Sequence, residues 1–376
     1  MSELASYSIQ AVFFALVAVV AVSRSKKTDL YQFALISVWL VGVIAIYARY
    51  REDQVLFYSN DQLFHQDVIE YYLSIEGIRI REIITLRYLL TVPVFLISLL
   101  GFNAMLMIKF LQLSALLLVY NRSKKFMSEN FLMIRFWQLP LIAGPILVFM
   151  SLLSLRDVIL AYFTFIFITT TPCKQRILGL GGVFLLRPHL AVALVFAFLV
   201  SHFYSKLKLK NQNYWLMLLA LLSYAIGTIA YWIGIVIQQG KNFEAPHTVF
   251  TQLKFSQLAA NFFGLQFLAL NDPDSRVVAA STVTLLLSRL VFFDTLLIPV
   301  LFLIAVFRHP DFLTKQKLST LLAFFFFYGV VSQTSYNSTR QNIPFLVCMG
   351  LLAVADIEHF RKIKAVVGTK LLVATR

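Results

Sequence analysis

Long apolar runs alternate with short clusters of basic residues along the whole chain, and that alternation limits its folds more than any other feature. A helix needs roughly 20 apolar residues to cross a bilayer core. Candidate spans are Ile9–Val22, Leu30–Tyr47, Tyr88–Leu100, Ala104–Tyr120, Phe131–Leu153, Val158–Thr170, Leu190–Tyr204, Tyr214–Ile237, Leu290–Phe307, Leu318–Val331 and Ile343–Ala355. Ile177–Leu186 is too short to cross alone and carries Gly179, Gly181 and Gly182, which suits a half-helix packed tightly inside a bundle. The runs predict an all-α polytopic transmembrane bundle of about ten to twelve segments, forming one integral membrane domain over 1–376.

Composition agrees. Hydrophobic residues make up 59% of the chain and charged residues 14%, with a mean hydropathy of +0.78, well away from a soluble domain. The net charge of +15 sits in clusters between apolar runs: Arg24 to Lys27, Arg122 to Lys125, Lys174 to Arg176, Lys206 to Lys210, Lys315 with Lys317, and Arg361 to Lys364. This is the positive-inside pattern, so the charge records topology and the partner is the lipid bilayer, with no nucleic acid. The first run lacks a basic leader, and Ser23-Arg24-Ser25 is a poor cleavage site, so it reads as a retained helix. Cys173 and Cys348 show no metal-type spacing and predict no disulfide.

Orientation follows from the clusters. With Arg361-Lys362 inside, the alternation puts 333–342 and 238–289 outside, and Leu155-Arg156-Asp157 and Arg187-Pro188-His189 on that same outer face. One parity conflict remains between the outer loop 49–87 and Arg122, where two candidate spans stand and an odd number is needed. Either a terminal assignment is inverted or one segment does not span; the favoured reading is a non-spanning segment, because Leu100-Gly101-Phe102-Asn103 can break a helix. The loops 49–87 and 238–289 are long for a compact protein, and Phe57–Ile75 and Thr248–Leu270 have the mixed periodicity of helices lying in the interface.

Charges at membrane depth are costly, and those that persist usually mark function. Arg187 precedes a proline that forces a bend, which would turn the guanidinium and His189 toward a cavity. A guanidinium fork suits phosphate, although an arginine snorkelling to headgroups would look the same. Asp157 beside Arg156 either orients a partner or serves a helix start. Gln333–Asn342, with Tyr336, Asn337 and Arg340, is a run of hydrogen-bonding groups between two apolar segments, fit for a sugar- or phosphate-lined cavity mouth or for a plain polar loop. In Asn60–Asp67, Asp61, His65 or Asp67 has the chemistry to deprotonate a hydroxyl, unless the cluster is a solvated face. Asp294 reads as a membrane-edge acid. No Walker loop, dinucleotide fingerprint, nucleophile elbow or zincin helix is present, and no metal site or cofactor is expected.

In layout and in four short motifs, Asn60-Asp61-Gln62, Ser154-Leu155-Arg156-Asp157, Arg187-Pro188-His189 and Arg340, the chain resembles the Wzy-like and EpsG-like polysaccharide repeat-unit polymerases of bacteria, which are similar to the GT-C membrane glycosyltransferases. It departs from them by Leu155-Arg156 where that turn usually has a proline and a lysine. The resemblance implies a multi-pass protein of the bacterial inner membrane that joins undecaprenyl-pyrophosphate-linked oligosaccharide units into O-antigen, capsule or exopolysaccharide, with a chain-length regulator as a further partner. Arg187 and Arg340 would hold the pyrophosphate, with Arg156, Asp157, Tyr336 and Asn337 around the substrate and Asp61, Asp67 or His189 as the base. Two alternatives stay open: a GT-C transferase adding one sugar from a polyprenyl phosphate, and a glycolipid transporter with no chemistry.

Overall fold

The computed structural model describes residues 3–24, 29–50, 91–153, 156–204, 212–239, 282–308, 314–331 and 343–374. Among them the regular structure is helical throughout, with no strand. Four helices are long and apolar enough to cross a membrane: Glu3–Ser23, Leu30–Arg49, Ala104–Glu129 and Ile343–Lys362. Their outward faces are apolar, as lipid contact requires; Leu16 is 58% exposed and Val41 67%.

In chain order, α1 is Glu3–Ser23, α2 Leu30–Tyr50, α3 Thr91–Ser98, α4 Ala104–Glu129, α5 Leu139–Ile142, α6 Pro145–Ser151 and α7 Asp157–Thr169. Then come α8 Cys173–Leu186, α9 Pro188–Tyr204, α10 Gln212–Gln239, α11 Thr282–Arg308, α12 Thr314–Val331 and α13 Ile343–Ala374. Two of these correct or sharpen the sequence reading. Phe131–Leu153 is not one continuous helix: a turn at Phe136–Gln138 leads into α5, the chain breaks at Ala143-Gly144, and α6 begins at Pro145. Proline supplies no N–H and is tolerated at a helix start, so Pro145 favours a new helix over continuation. The break also brings backbone close to α11, since a Cβ on Gly144 would meet Asp294 Oδ2 at 2.8 Å.

The second concerns the parity conflict. The described part of Tyr88–Leu100 is α3, eight residues, or about 12 Å at the usual helical rise. It ends in a turn at Gly101, whose φ of +84° is comfortable only for glycine. Asn103 then caps α4 by accepting the Leu106 N–H. The chain therefore breaks in the Leu100–Asn103 stretch, and the part of the segment before Thr91 lies outside the described residues.

The bundle has two chemically distinct ends. At the basic end, Asp29 between α1 and α2 binds Lys124 Nζ and the Tyr120 hydroxyl, both at 2.6 Å. Arg122 donates to Gln175 of α8. Glu358 gathers Gln138, Arg135 and Arg361 at the same end. At the opposite end, Gln10 of α1 accepts the Asn103 N–H at 2.7 Å, so the first half of α1 lies beside the start of α4.

Close helix crossings rest on glycine. A Cβ on Gly227 of α10 would lie 2.0 Å from the Phe326 carbonyl oxygen, and one on Gly329 of α12 would lie 2.2 Å from that of Tyr224. The clashing atoms are backbone, so the helices themselves must separate to admit a methyl. Gly227→Ala is expected to destabilise by about 1–3 kcal/mol, read as a lower unfolding temperature of the detergent-purified protein.

Asp29 gives the basic end a pH dependence. Burial pushes its carboxyl up, but hydrogen bonds from Lys124, Tyr120 and the Gln32 N–H outweigh burial and hold it below its ordinary 3.8. A carboxyl depressed in the folded state contributes stability above its unfolded value and loses it as pH falls through the folded one. Asp29→Asn is therefore expected to cost roughly 0.2–1 kcal/mol at neutral pH, given a half-exposed pair. Thermal unfolding as a function of pH should show variant and wild type converging once the pH falls below the folded value.

Candidate functional site

The end opposite the basic clusters collects the buried charges that the sequence singled out. α7 and α8 form an antiparallel hairpin whose register is set by two glycines. A Cβ on Gly179 would lie 2.8 Å from Phe167 N and 2.9 Å from Phe163 O, and one on Gly182 would strike the Phe163 ring at 2.4 Å. Arg187 lies five residues beyond Gly182, and Asp157 six residues from Phe163 in the same direction. At 1.5 Å per residue these are about 7.5 and 9 Å, so the two residues stand at nearly one level.

Arg187 is a junction residue. It ends α8, its N–H donating to Val183 O at 2.7 Å, and its own carbonyl accepts from Leu190 N at 3.0 Å and Ala191 N at 3.3 Å to begin α9. Its φ of −156° and ψ of +84° are non-helical, as expected of a residue before proline. The side chain is 6% exposed, with Cζ 5.9 Å from the centroid of the Phe327 ring. His189 is exposed, and its ring stacks on that same Phe327 at 5.6 Å with an interplanar angle of 1°. Phe327 in turn meets Phe345 at 5.7 Å. Phe327 lies in the last turns of α12 and Phe345 in the first turn of α13, so the end of one and the start of the other meet here.

Asp157 is fully buried at the first position of α7, and Arg156 is the residue before it, with no side-chain cap of its own. The cap comes from α4: Gln112 Oε1 accepts from Val158 N at 2.9 Å and Ile159 N at 3.2 Å. Three residues earlier on the same stripe of α4 is Lys109, 5% exposed. It donates to the Tyr7 hydroxyl at 3.2 Å, and Tyr7 stacks on Tyr47 at 3.8 Å. Lys109, Asp157 and Arg187 are thus three buried ionisable groups toward one end of the bundle.

Of the sequence candidates, Arg156, Asp157, Arg187 and His189 gather here. Asp61, His65, Asp67, Tyr336, Asn337 and Arg340 lie outside the described residues. Asp294 proves to be no edge residue: it is 7% exposed and accepts the Ile146 N–H at 2.9 Å, capping α6 at the helix break. Gln112, Lys109 and Phe327 escaped the sequence reading. A lysine and a glutamine three residues apart in an otherwise apolar run were the available signal for the first two. A phenylalanine inside Phe324-Phe325-Phe326-Phe327 offers none.

Chemically, the arrangement offers a guanidinium seated against an aromatic face, a carboxylate at a braced helix start and an exposed imidazole. Among the described residues no group of His, Cys, Asp and Glu could hold a metal ion. The chain matches no protein-family model, no curated protein and no solved structure.

Gln112 is the brace that positions Asp157. Gln112→Leu removes the acceptor of two buried N–H groups and is expected to cost about 1–3 kcal/mol, measured as loss of thermal stability.

Proposed function

We propose that the protein is a multi-pass glycosyltransferase of the bacterial inner membrane, with the basic end in the cytoplasm, that polymerises undecaprenyl-pyrophosphate-linked oligosaccharide units at the opposite end. The observation that carries the reading is Arg187: a nearly buried guanidinium, held at the junction of two helices beside Phe327 and His189, at the end where the 332–342 segment carrying Arg340 joins α12 to α13. Apolar surroundings strengthen a guanidinium's pull on phosphate, and its two-pronged donor geometry suits pyrophosphate oxygens.

In this reading Arg187 and Arg340 bind the pyrophosphate of the donor lipid. A sugar hydroxyl of the acceptor unit attacks the anomeric carbon, the carbon–oxygen bond to pyrophosphate breaks, and undecaprenyl pyrophosphate departs with the electron pair. The hydroxyl proton passes to His189, Asp61 or Asp67. The arginines act by stabilising charge that grows on the leaving group, and Asp157 and Arg156 line the donor side. His189 is exposed and stacked on Phe327, where a substrate hydroxyl could reach it.

The test uses the purified full chain with undecaprenyl-pyrophosphate oligosaccharide and follows glycan length. Wild type should lengthen the glycan, and Arg187→Ala should reduce the rate by about a hundredfold or more, the usual scale for losing a charge-stabilising donor. Arg187→Lys should recover only part of it, because a point charge cannot reproduce the fork. Normal polymer from folded, inserted Arg187→Ala protein would remove the arginine from the site. Movement of glycolipid across the bilayer with no change in its length would make the protein a transporter.

A further inference from the structure

The basic end holds a second charged cleft, between α11 and α13 and away from Arg187. Its cavity is about 200 Å³, and Leu301, Ile304, Arg308, Asp356, Phe360 and Arg361 are among the residues that line it. Arg308 is exposed and lies over the Phe360 ring at 5.5 Å; among the described residues no carboxylate pairs with it. Arg361 shares Glu358 with Arg135, so one carboxylate faces two guanidinium groups. The carboxylate in the cleft, Asp356, is engaged by Lys317 Nζ at 2.6 Å, and Lys317 also donates to the Ala305 carbonyl at 2.8 Å. Five cations among the described residues (Arg135, Arg308, Lys317, Arg361 and Lys362) stand against two carboxylates, Asp356 and Glu358.

The walls are apolar. Ile304, in the lining, is 49% exposed, and outside the cleft Phe131 and Trp137 project at 82% and 50% exposure. Arg361 lies over Trp137 at 5.1 Å and Lys362 over Phe131 at 5.7 Å. Exposed aromatic rings beside arginine and lysine are the pattern of a membrane–water boundary. We propose that this cleft binds the phosphate of an anionic phospholipid, with Arg308 and Arg361 as its donors and Leu301 and Ile304 receiving the first methylenes of its chains. A cavity of this size is smaller than a drug-sized pocket and takes a headgroup, not a whole lipid. The apolar wall running from the cations selects a lipid over free phosphate, which would leave that wall uncovered.

The probe is phosphatidylglycerol, offered to the full chain in nanodiscs and compared with zwitterionic phosphatidylcholine, with retained lipid read by native mass spectrometry and stability by thermal unfolding. Wild type should retain phosphatidylglycerol preferentially, by about fivefold for each arginine engaged, and unfold at a higher temperature when it is present. Arg308→Gln, whose described partner is the Phe360 ring, should lose most of that preference while unfolding as wild type does in phosphatidylcholine. Equal retention of the two lipids by wild type would overturn the proposal without recourse to any variant, and so would an unchanged preference in Arg308→Gln. Stabilisation by inorganic phosphate matching that by phosphatidylglycerol would make the ligand a soluble anion, which also overturns it.

Discussion

Backbone N–H groups at the start of a helix have no partner within it, and an apolar surrounding offers no water to supply one. Among the described residues, several helix starts in this bundle borrow an acceptor from a side chain. Gln112 of α4 serves α7, Asp294 of α11 serves α6, and Asn103 serves its own helix α4. Much of the polar chemistry inside the protein follows from this requirement. The glutamine and aspartate are not scattered exceptions in apolar runs; each answers a specific break in the chain.

The breaks in turn allow the functional geometry. Because α7 starts inside the bundle and α8 ends at Arg187, the hairpin between them brings a carboxylate and a guanidinium to one level. An unbroken pair of long helices would have carried those charges through to bulk water. Glycine makes the hairpin tight: Gly179 and Gly182 let α8 approach the backbone and ring of α7 more closely than any larger residue would. The site depends on close packing at one place and on chain breaks at another, and both depend on borrowed hydrogen bonds.

Charge is sorted between the two ends by the cost of burying it. At the basic end the carboxylates of Asp29, Asp356 and Glu358 are each held by a cation within hydrogen-bonding distance, which offsets the loss of hydration. Among the described residues, cations outnumber carboxylates at this end. At the other end the buried cations sit against aromatic rings: Lys109 against Tyr7 and Arg187 against Phe327. An aromatic face offsets part of the cost of burying a cation.

Helix type and most helix positions follow from the lengths of the apolar runs. The bend at Arg187 follows from Pro188, and the break before α4 from Gly101. The split of Phe131–Leu153 is hidden by continuous apolar content, and Pro140, Gly144 and Pro145 are its local signs. Asp294 was misread as an edge acid, since an acid's place in an apolar run does not say whether it faces lipid, water or a broken helix. Local composition thus determined that this chain is helical, apolar enough for a membrane and bent at Arg187, because those properties depend on hydrophobicity and backbone sterics within a few residues. Tertiary structure alone decided that Gln112 braces Asp157, that Phe327 lies against Arg187 and His189, and that Lys317 neutralises Asp356. Each of those joins side chains from separate helices, and only the packing of those helices selects which partners meet.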